Sequence, residues 1–416
     1  MIQRNSFKSN DTTPLSTKEG QGGGLQRWAI LKVWWDELCE IVKDEGILVF
    51  IILLPLGYPL LYAMIYNTET QRELPICVVD DCMSARSRDF IRRVDATSEV
   101  KVVARCADMS QAQELLRRRD AYGILRVPAE FDRDLWRGQQ TVVGLYSDLT
   151  SMLYYKVEYL AVINVAQEVN RQIKVLERQT NISRREEELA RWPIRFEEVK
   201  MYNPQGGFAS FLIPPVLMLI LQQALCLGVG MSMGRSRERF RGLVIPPTRH
   251  YKNTLAIVLG KGLVHFLLFL LMAFYMSLCV TRWFGLPQLA HFVDLLGFFV
   301  PYLLACTYMA IFWSHFIYRR EDCILLFVFM SIPLLFLSGV SWPGASIPTL
   351  WRIVGSVFPS TWGLNAYVRI SGMGASLGDC RQELMALWIL AAIYFLLSCL
   401  LYMAEIRKAV GRSVLS

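Results

Sequence analysis

Two long apolar runs separated by a short basic loop constrain this chain more than any other feature. The runs, at about 208–233 and 253–280, are each long enough to cross a hydrocarbon core roughly 30 Å thick. The loop between them carries one acidic residue, Glu238, and the basic residues Arg235, Arg237, Arg239, Arg241, Arg249 and Lys252. Short loops rich in Lys and Arg stay on the cytoplasmic side. The pattern therefore predicts a membrane protein and also its orientation.

Four further apolar stretches predict an α-helical polytopic membrane protein with about six transmembrane helices. They lie at about 47–66, 292–316, 323–340 and 384–404, and Pro55 and Pro59 predict a kink in the first. Residues 341–365 are also apolar, but prolines and glycines interrupt them, which is typical of a re-entrant segment. The residues that mark this segment are Gly339, Trp342, Pro343, Pro348 and Pro359.

The net charge of +8 supports this topology. Segment 67–205 carries equal numbers of basic and acidic residues, so the excess lies in the rest of the chain. Arg319, Arg320 and the basic C-terminal residues fall on the same side as the basic loop, which predicts that both termini are cytoplasmic. A localised excess of this kind attracts anionic lipid headgroups, and no nucleic-acid partner is expected.

The N-terminal region predicts a tail followed by a surface helix. Residues 1–24 are polar and rich in Gly, Ser and Thr, which is typical of a flexible cytoplasmic tail. Residues 25–46 have the spacing of an amphipathic interfacial helix, with Trp28, Trp34 and Trp35 at the headgroup level and Glu37 on the opposite, charged face. The alternative is a packed helix of a soluble N-terminal domain, for which the segment is short.

Segment 67–205 predicts a small extracytoplasmic α/β domain, because short apolar runs alternate with helical patterns after the first span. The predicted strands are 74–80, 100–104, 121–127 and 141–146, and the predicted helices are 84–94, 110–119 and 131–137. Ser84 and Ser110 are the expected N-caps of the first two helices. A long charged helix at about 154–190 returns the chain to the bilayer and ends before Pro193.

Motifs of catalysis and of metal binding do not emerge from the sequence. Lys261 is followed by Gly262 where a phosphate-binding loop requires Ser or Thr, and the four His are dispersed. Cys77 and Cys82 fit no zinc pattern, and free packed thiols at these positions and at Cys106 are favoured over a disulfide. We therefore expect that the chain is not itself an enzyme and binds no cofactor or metal.

Polar residues within the apolar runs are candidates for a substrate pathway, because such groups are costly there. Gln222 and Gln223 lie in the middle of the second span, where interhelical hydrogen bonding is favoured over substrate contact. Lys261 and His265 are four residues apart and share a helix face. Lys261 is expected to extend its ammonium group to the membrane surface, and His265 remains a possible pathway residue.

Four stretches, ordered along the chain, carry a resemblance to a known family. They are residues 43–46; 76–80 with 122–131; 237–239 with Gly242 and Pro246; and 333–339 with 342–343, 347–348 and 358–361. The ordered set resembles the membrane subunits of type-2 ATP-binding-cassette exporters, the ABC-2 permease family, in the subgroup with a large extracytoplasmic domain after the first span.

The resemblance implies a permease that pairs with a second permease subunit, either the same chain or a similar one. ATP–Mg would bind in separate cytoplasmic ATPase subunits. A coupling helix in loop 234–252 would contact them through Arg235, Arg237, Glu238, Arg239, Arg241, Gly242 and Pro246, and the interfacial helix would form a second contact. The resemblance also implies a bacterial inner membrane and allows for a periplasmic adaptor.

The leading interpretation is the permease of an exporter for an amphipathic, lipid-like or drug-like substrate. The rival interpretation is a membrane-anchored sensor or scaffold protein with an extracytoplasmic α/β domain. Broken apolar structure at membrane depth favours the permease, because an anchor does not require it. A secondary transporter driven by an ion gradient would need repeat symmetry and buried carboxylates within the spans, and the sequence suggests neither.

Overall fold

The computed structural model describes residues 24–66, 72–137, 139–148, 152–177, 202–203, 207–240, 244 and 253–415. The chain forms two compact units, one comprising Met1–Asn67 with Ala209–Ser416 and the other Thr68–Phe208. The first unit is helical and the second contains a four-stranded sheet. This confirms the predicted fold class of a helical polytopic membrane protein with an inserted α/β domain. The predicted N-terminal tail up to residue 23, the end of the long helix after residue 177, and Pro193 lie outside the described residues.

The described elements follow one another in this order along the chain. They are α1 (Gly24–Val42), α2 (Glu45–Ile65), β1 (Leu74–Asp80), α3 (Ala85–Asp95), β2 (Val100–Cys106), α4 (Met109–Arg118), β3 (Gly123–Val127), α5 (Phe131–Trp136), β4 (Gly144–Ser147), α6 (Met152–Glu177), α7 (Phe208–Arg239), α8 (Thr254–Trp283), α9 (Phe292–Ser314), α10 (Arg320–Leu337), α11 (Thr349–Ser356), α12 (Pro359–Tyr367) and α13 (Arg381–Leu415).

Five helices within the described residues are long and apolar enough to cross a membrane: α2, α7, α8, α9 and α13. The predicted fifth span at 323–340 is also a helix, α10, but its first turn consists of Arg320, Glu321 and Asp322. Those charges leave a shorter apolar stretch than the other five helices have, so a sixth crossing remains a prediction. In α2, a π-helical turn at Val49–Leu53 precedes Pro55, whose ring removes a backbone donor.

Helix α7 is the centre of the helical unit and is almost entirely buried. Small residues along it allow its neighbours to approach closely, as they do between other membrane helices. A Cβ atom at Gly228 would lie 2.6 Å from the Ile51 side chain of α2, and one at Gly234 would lie 3.2 Å from the backbone of Arg320 in α10. The sequence of α7 therefore fixes where α2 and α10 pack.

The predicted re-entrant segment folds as a helical turn and two short helices, α11 and α12. Gly339 begins it with a φ of +81°, a backbone conformation that favours glycine. Side chains of α12 then bond to the backbone before it: Thr361 Oγ1 donates to the Gly355 carbonyl at 2.6 Å, and Asn365 Nδ2 donates to the Ser338 carbonyl at 2.7 Å. These bonds satisfy carbonyls at the ends of two helices, Ser338 after α10 and Gly355 in the last turn of α11.

The inserted domain is a sheet with strand order β2-β1-β3-β4 and helices on both faces. Strand β1 is parallel to β2 and β3, and β4 is antiparallel to β3. All four predicted strands are present, with the boundaries given above. Ser84 caps α3 as predicted, accepting from the amide of Ser87 at 3.0 Å. The predicted cap Ser110 was wrong: Asp108 caps α4 instead, because its carboxylate accepts from the amide of Gln111 at 2.8 Å.

A carboxyl group is buried beneath this sheet. Glu158 of α6 is fully buried and accepts a hydrogen bond from the Ser147 hydroxyl. A Cβ atom at position 123 would lie 2.6 Å from this carboxylate, so only glycine leaves room for it. Burial raises the pKa of Glu158 to about 7, although the hydrogen bond from Ser147 acts in the opposite direction. This carboxyl group therefore titrates near neutral pH.

The cysteines of the domain occupy different environments. Cys77 and Cys106 are buried thiols in the core on one face of the sheet, whereas Cys82 is half-buried in the turn after β1. Burial raises the pKa of Cys77 to about 12, so this thiol carries little thiolate at neutral pH.

Candidate functional site

The basic segment that was predicted as a loop begins within the last turns of helix α7. Helix α7 continues to Arg239, so the first six residues of the predicted coupling loop 234–252 are helical. The arginines in this last turn are neighbours of α1 and α10, and each has an internal partner. Residues Arg241, Gly242 and Pro246 of the predicted coupling loop, with Arg249 and Lys252, lie outside the described residues.

Asp44, between α1 and α2, organises the first set of ion pairs. One carboxylate oxygen caps α2 by accepting from the amide of Ile47 at 3.1 Å. The other lies 2.9 Å from Arg235 Nη1 and 3.0 Å from Arg320 Nη1. Partial burial alone would raise the pKa of Asp44, but the Ile47 hydrogen bond and the two guanidinium groups outweigh it and lower this pKa. Asp44 therefore joins the ends of α1, α7 and α10 as a carboxylate.

The remaining charged residues of this turn extend the network. Glu238 accepts from Arg320 Nε at 2.9 Å, and Arg239 Nη1 lies 2.8 Å from the Glu40 carboxylate of α1. Arg237 is 7% exposed, and it donates to the backbone carbonyl of His315 at the end of α9. Arg235, Arg237 and Arg239 are thus committed to contacts within this chain. We call Asp44, Arg235, Glu238, Arg239 and Arg320, together with Glu40, the junction network.

The last helix also holds the basic loop. Glu405 of α13 is 5% exposed and accepts from the amide of Val244 at 3.2 Å. The imidazole Nε2 of His315 lies 3.6 Å from the other oxygen of Glu405. Val244, the one position in the middle of the loop that the structure describes, is therefore attached to α13, and α13 in turn contacts the end of α9.

A second, fully buried ion pair ties α1 to the helical unit. Lys261 Nζ of α8 lies 2.5 Å from Glu37 Oε2, and both side chains are at most 4% exposed. The hydroxyl of Ser232 in α7 donates to Glu37 Oε1 at 2.5 Å. Burial alone would raise the pKa of Glu37, but the Lys261 ammonium and these hydrogen bonds outweigh it, so this pKa lies below its ordinary value. Gly260 permits this approach, because a Cβ there would lie 2.8 Å from Val33.

These contacts correct two predictions for this region. Glu37 was expected on a polar, solvated face, but it lies in a buried stripe of α1 with Val33 and Ile41. Lys261 was expected to reach the membrane surface, but it pairs with Glu37 instead. A buried charge at the end of a span is stabilised by an opposite charge on a neighbouring helix, and the separation of these two residues in sequence conceals that pairing.

The tryptophans of α1 divide between two environments. Trp28 and Trp35 are 76% and 58% exposed and share an outward stripe with Leu31 and Val42. Trp34 is half-buried and packs against the core of the helical unit. The outward stripe has the character of a lipid-facing surface, with rings suited to the headgroup level. Helix α1 thus has one face built for the protein and another built for a membrane surface.

His265 lies beside the buried ion pair and apart from the two glutamines. Its Nδ1 lies 2.9 Å from the carbonyl of Lys261, and the Glu37 carboxylate acts on it electrostatically. Neither of the two cavities that Gln223 lines has His265 among its described lining residues. The three predicted pathway residues therefore separate into a pair and a single residue.

Gln222 and Gln223 lie where two cavities meet α7. The inner cavity, of about 160 Å³, lies between α7, α9 and α10, and both glutamines line it. The outer cavity, of about 340 Å³, lies between α2, α7 and α10, and Gln223 lines it as well. Gln222 Oε1 accepts from the thiol of Cys306 in α9 at 3.5 Å, which is the interhelical contact expected for it. The described residues provide no hydrogen-bond partner for Gln222 Nε2 or Gln223 Oε1.

The re-entrant residues have structural roles in the hairpin. Pro348 precedes α11 and Pro359 begins α12, positions at which a missing amide donor is harmless. Trp342 is 56% exposed, and Pro343 precedes the turn at Gly344–Ser346. Phe358, next to Pro359, lines the inner cavity. This segment therefore contributes one wall of the inner cavity through Phe358.

The described residues contain no group of three or more His, Cys, Asp or Glu that could hold a metal ion.

An α-helical bundle with apolar spans and an inserted α/β domain is typical of a multi-pass membrane protein. The family model described as "ABC-2 family transporter protein" matches residues 46–400. The chain therefore belongs to the ABC-2 family and is a permease subunit of an ATP-binding-cassette transporter, a class that works with an ABC ATPase subunit. No curated protein matches the chain.

Proposed function

We propose that this chain is the permease of an exporter that moves an amphipathic, lipid-like or drug-like substrate out of the cytoplasm or the inner leaflet. Separate ATPase subunits bind at loop 234–252 on the cytoplasmic side and supply the energy. The observation that carries this proposal is the junction network, which joins the base of that loop to α1 and α10. A movement imposed on the loop would reach the helices that line both cavities.

The junction network also supports one orientation of the chain in the membrane. Arg235, Arg239, Arg320 and the end of α1 lie together at one end of the helical unit. Positive charge concentrates on the cytoplasmic side of membrane proteins. The α/β domain follows the opposite end of α2, so in this proposal it is extracytoplasmic and both chain termini are cytoplasmic, in a bacterial inner membrane.

A transport path through one such unit requires a second permease, either this chain or a similar one. Large exposed apolar side chains on α10, such as Phe329 at 78% and Leu325 at 70%, are suited to a helical partner or to lipid. A periplasmic adaptor on the α/β domain is a further possible partner in this proposal. ATP–Mg binds in the ATPase subunits, and the permease contributes no hydrolytic residue.

The structure decides which arginines can test ATPase docking. Arg237 is buried, so its substitution would disturb folding as well as any docking. Arg241 and Arg249 belong to the loop itself and are suitable targets. The charge-reversed chain Arg241→Glu/Arg249→Glu would be purified in mild detergent from its own cells, and ATPase subunits in the preparation would be identified by mass spectrometry.

The matched control is Arg352→Glu/Arg381→Glu, two exposed arginines in α11 and at the start of α13. We expect an ABC ATPase to accompany the wild type and the control, and at least tenfold less of it to accompany the loop variant. If no ATPase accompanies any of the chains, even after mild crosslinking, the exporter proposal fails.

A further inference from the structure

The two amides at the centre of α7 are unusual because both line a cavity and each has one polar atom without a hydrogen-bond partner among the described residues. Gln222 is completely buried, yet its Nε2 has no hydrogen-bond partner among the described residues. The same holds for Oε1 of Gln223. Leaving a buried polar group unpaired destabilises a protein by roughly 1–3 kcal/mol. Two such groups in one cavity indicate a site whose partners arrive with a ligand.

The walls around these amides are apolar and uncharged. The remaining described residues that line the inner cavity are Cys226, Met309, Trp313, Leu326, Phe327, Met330, Leu334 and Phe358. Acidic, basic and imidazole side chains are absent from the described lining of both cavities. A charged group would lose its hydration there without gaining an opposite charge, which is strongly unfavourable. The site therefore selects against ions and charged headgroups.

The aromatic walls and the outer cavity define the shape and the access. Trp313, Phe327 and Phe358 offer flat surfaces on which a planar apolar group can pack. The outer cavity is bordered by Val328 and Ile332 of α10, which are 50% and 66% exposed on the outside of the bundle. A ligand can therefore reach Gln223 sideways between α2 and α10 from the hydrocarbon region.

We propose that the inner and outer cavities around Gln223 form the binding site for the transported molecule. The ligand is uncharged, largely apolar and carries a neutral hydrogen-bonding group, such as an amide, that pairs with the Gln222 and Gln223 side chains. Gln222 and Gln223 are the specificity-determining residues, because they distinguish this ligand from a pure hydrocarbon. This inference rests on the proposed function and names the substrate class for it.

Direct binding tests the inference without any ATPase. The full chain in lipid nanodiscs would be dialysed against three labelled probes of one shape: 2-naphthamide, naphthalene and 2-naphthoate, with empty nanodiscs subtracted. We expect 2-naphthamide to bind roughly tenfold more tightly than naphthalene, since each new hydrogen bond contributes severalfold. We expect 2-naphthoate not to bind above the empty nanodiscs.

Two variants make the residue assignment testable. Gln222→Leu/Gln223→Leu keeps the side-chain volume and should abolish the preference for 2-naphthamide while naphthalene still binds. Thr307→Val is the control, since Thr307 of α9 is also buried, its hydroxyl has no hydrogen-bond partner among the described residues, and it is not in the described lining of either cavity. Met330→Phe fills the inner cavity and should weaken both neutral probes at least fivefold.

The inference is overturned if wild type binds naphthalene as tightly as 2-naphthamide, if 2-naphthoate binds best, or if the double variant keeps the preference. Its failure is distinguishable from failure of the exporter proposal. An ATPase that co-purifies with a chain lacking probe preference leaves the exporter standing and removes this site. A clear amide preference without any ATPase would instead leave a ligand site on a protein that is not a coupled permease.

Discussion

The buried pair Glu37–Lys261 predicts a large and strongly non-additive response to mutation. Replacing either residue alone by methionine leaves the other charge buried, because each side chain is at most 4% exposed and cannot turn to water without unpacking α1. Breaking a buried ion pair in this way typically destabilises by about 3–5 kcal/mol. Glu37→Met and Lys261→Met should each fall in that range.

The double variant Glu37→Met/Lys261→Met removes both charges and keeps the volume. Apolar replacement of a whole buried pair is often neutral, so the loss reduces to the hydrogen bond that Ser232 gives Glu37, about 1 kcal/mol. Two single losses of 3–5 kcal/mol against a double loss near 1 give a coupling energy of roughly 5 kcal/mol or more.

Heat unfolding of the purified full chain in detergent measures this coupling. The readout is a fluorescent thiol reagent that reports exposure of buried cysteines. Single variants should lower the unfolding midpoint by about 5–10 °C, and the double variant should lie within a few degrees of wild type. Lys32→Met, at an exposed position of the same helix, is the control and should change little. Single variants as stable as wild type, or a double variant as unstable as the sum, would refute the buried pair.

Three further outcomes are expected. The pKa of Glu158 is about 7, against an ordinary 4.5. The protonated carboxyl group therefore stabilises the folded domain fully below pH 4.5, and about 3 kcal/mol of unfolding free energy is lost as the pH rises through 7. Hydrogen-exchange protection of β1 measures this loss, and Glu158→Gln should abolish it. Gly363→Ala should lower the heat-unfolding midpoint by several degrees, since its Cβ would overlap the buried ring of Tyr302. In alkylation at pH 7.5, Cys82 should react at least tenfold faster than Cys77.

The elements of this protein are largely readable from its sequence, because their signals are local. Strand β1 begins and ends where the apolar run 74–80 predicts, and Ser84 caps the helix that follows. The ends of α7 and α10 are harder, since arginines there signal a loop unless their partners are known. Asp44 and Arg320 supply those partners from positions far along the chain, so helix α7 extends through the basic residues.

The candidate sites also depend on partners that lie far apart in the sequence, which local patterns do not reveal. Polar residues in apolar runs marked Gln222, Gln223 and His265 as one group, but only the packing of helices separates them. His265 shares a helix face with Lys261, and its environment is set by Glu37 on α1, which periodicity had placed towards water. The cavities beside the glutamines depend on side chains from α2, α9 and α10, whose juxtaposition no local pattern contains.

The most direct test of the central claim is photo-crosslinking in intact membranes from position 246, with a matched probe at Gln139, an exposed residue of the α/β domain. If loop 234–252 is the coupling element, the probe at position 246 forms an adduct with an ABC ATPase and the probe at position 139 does not. An ATPase adduct from position 139, or none from position 246 while the protein remains in the membrane, would contradict the account.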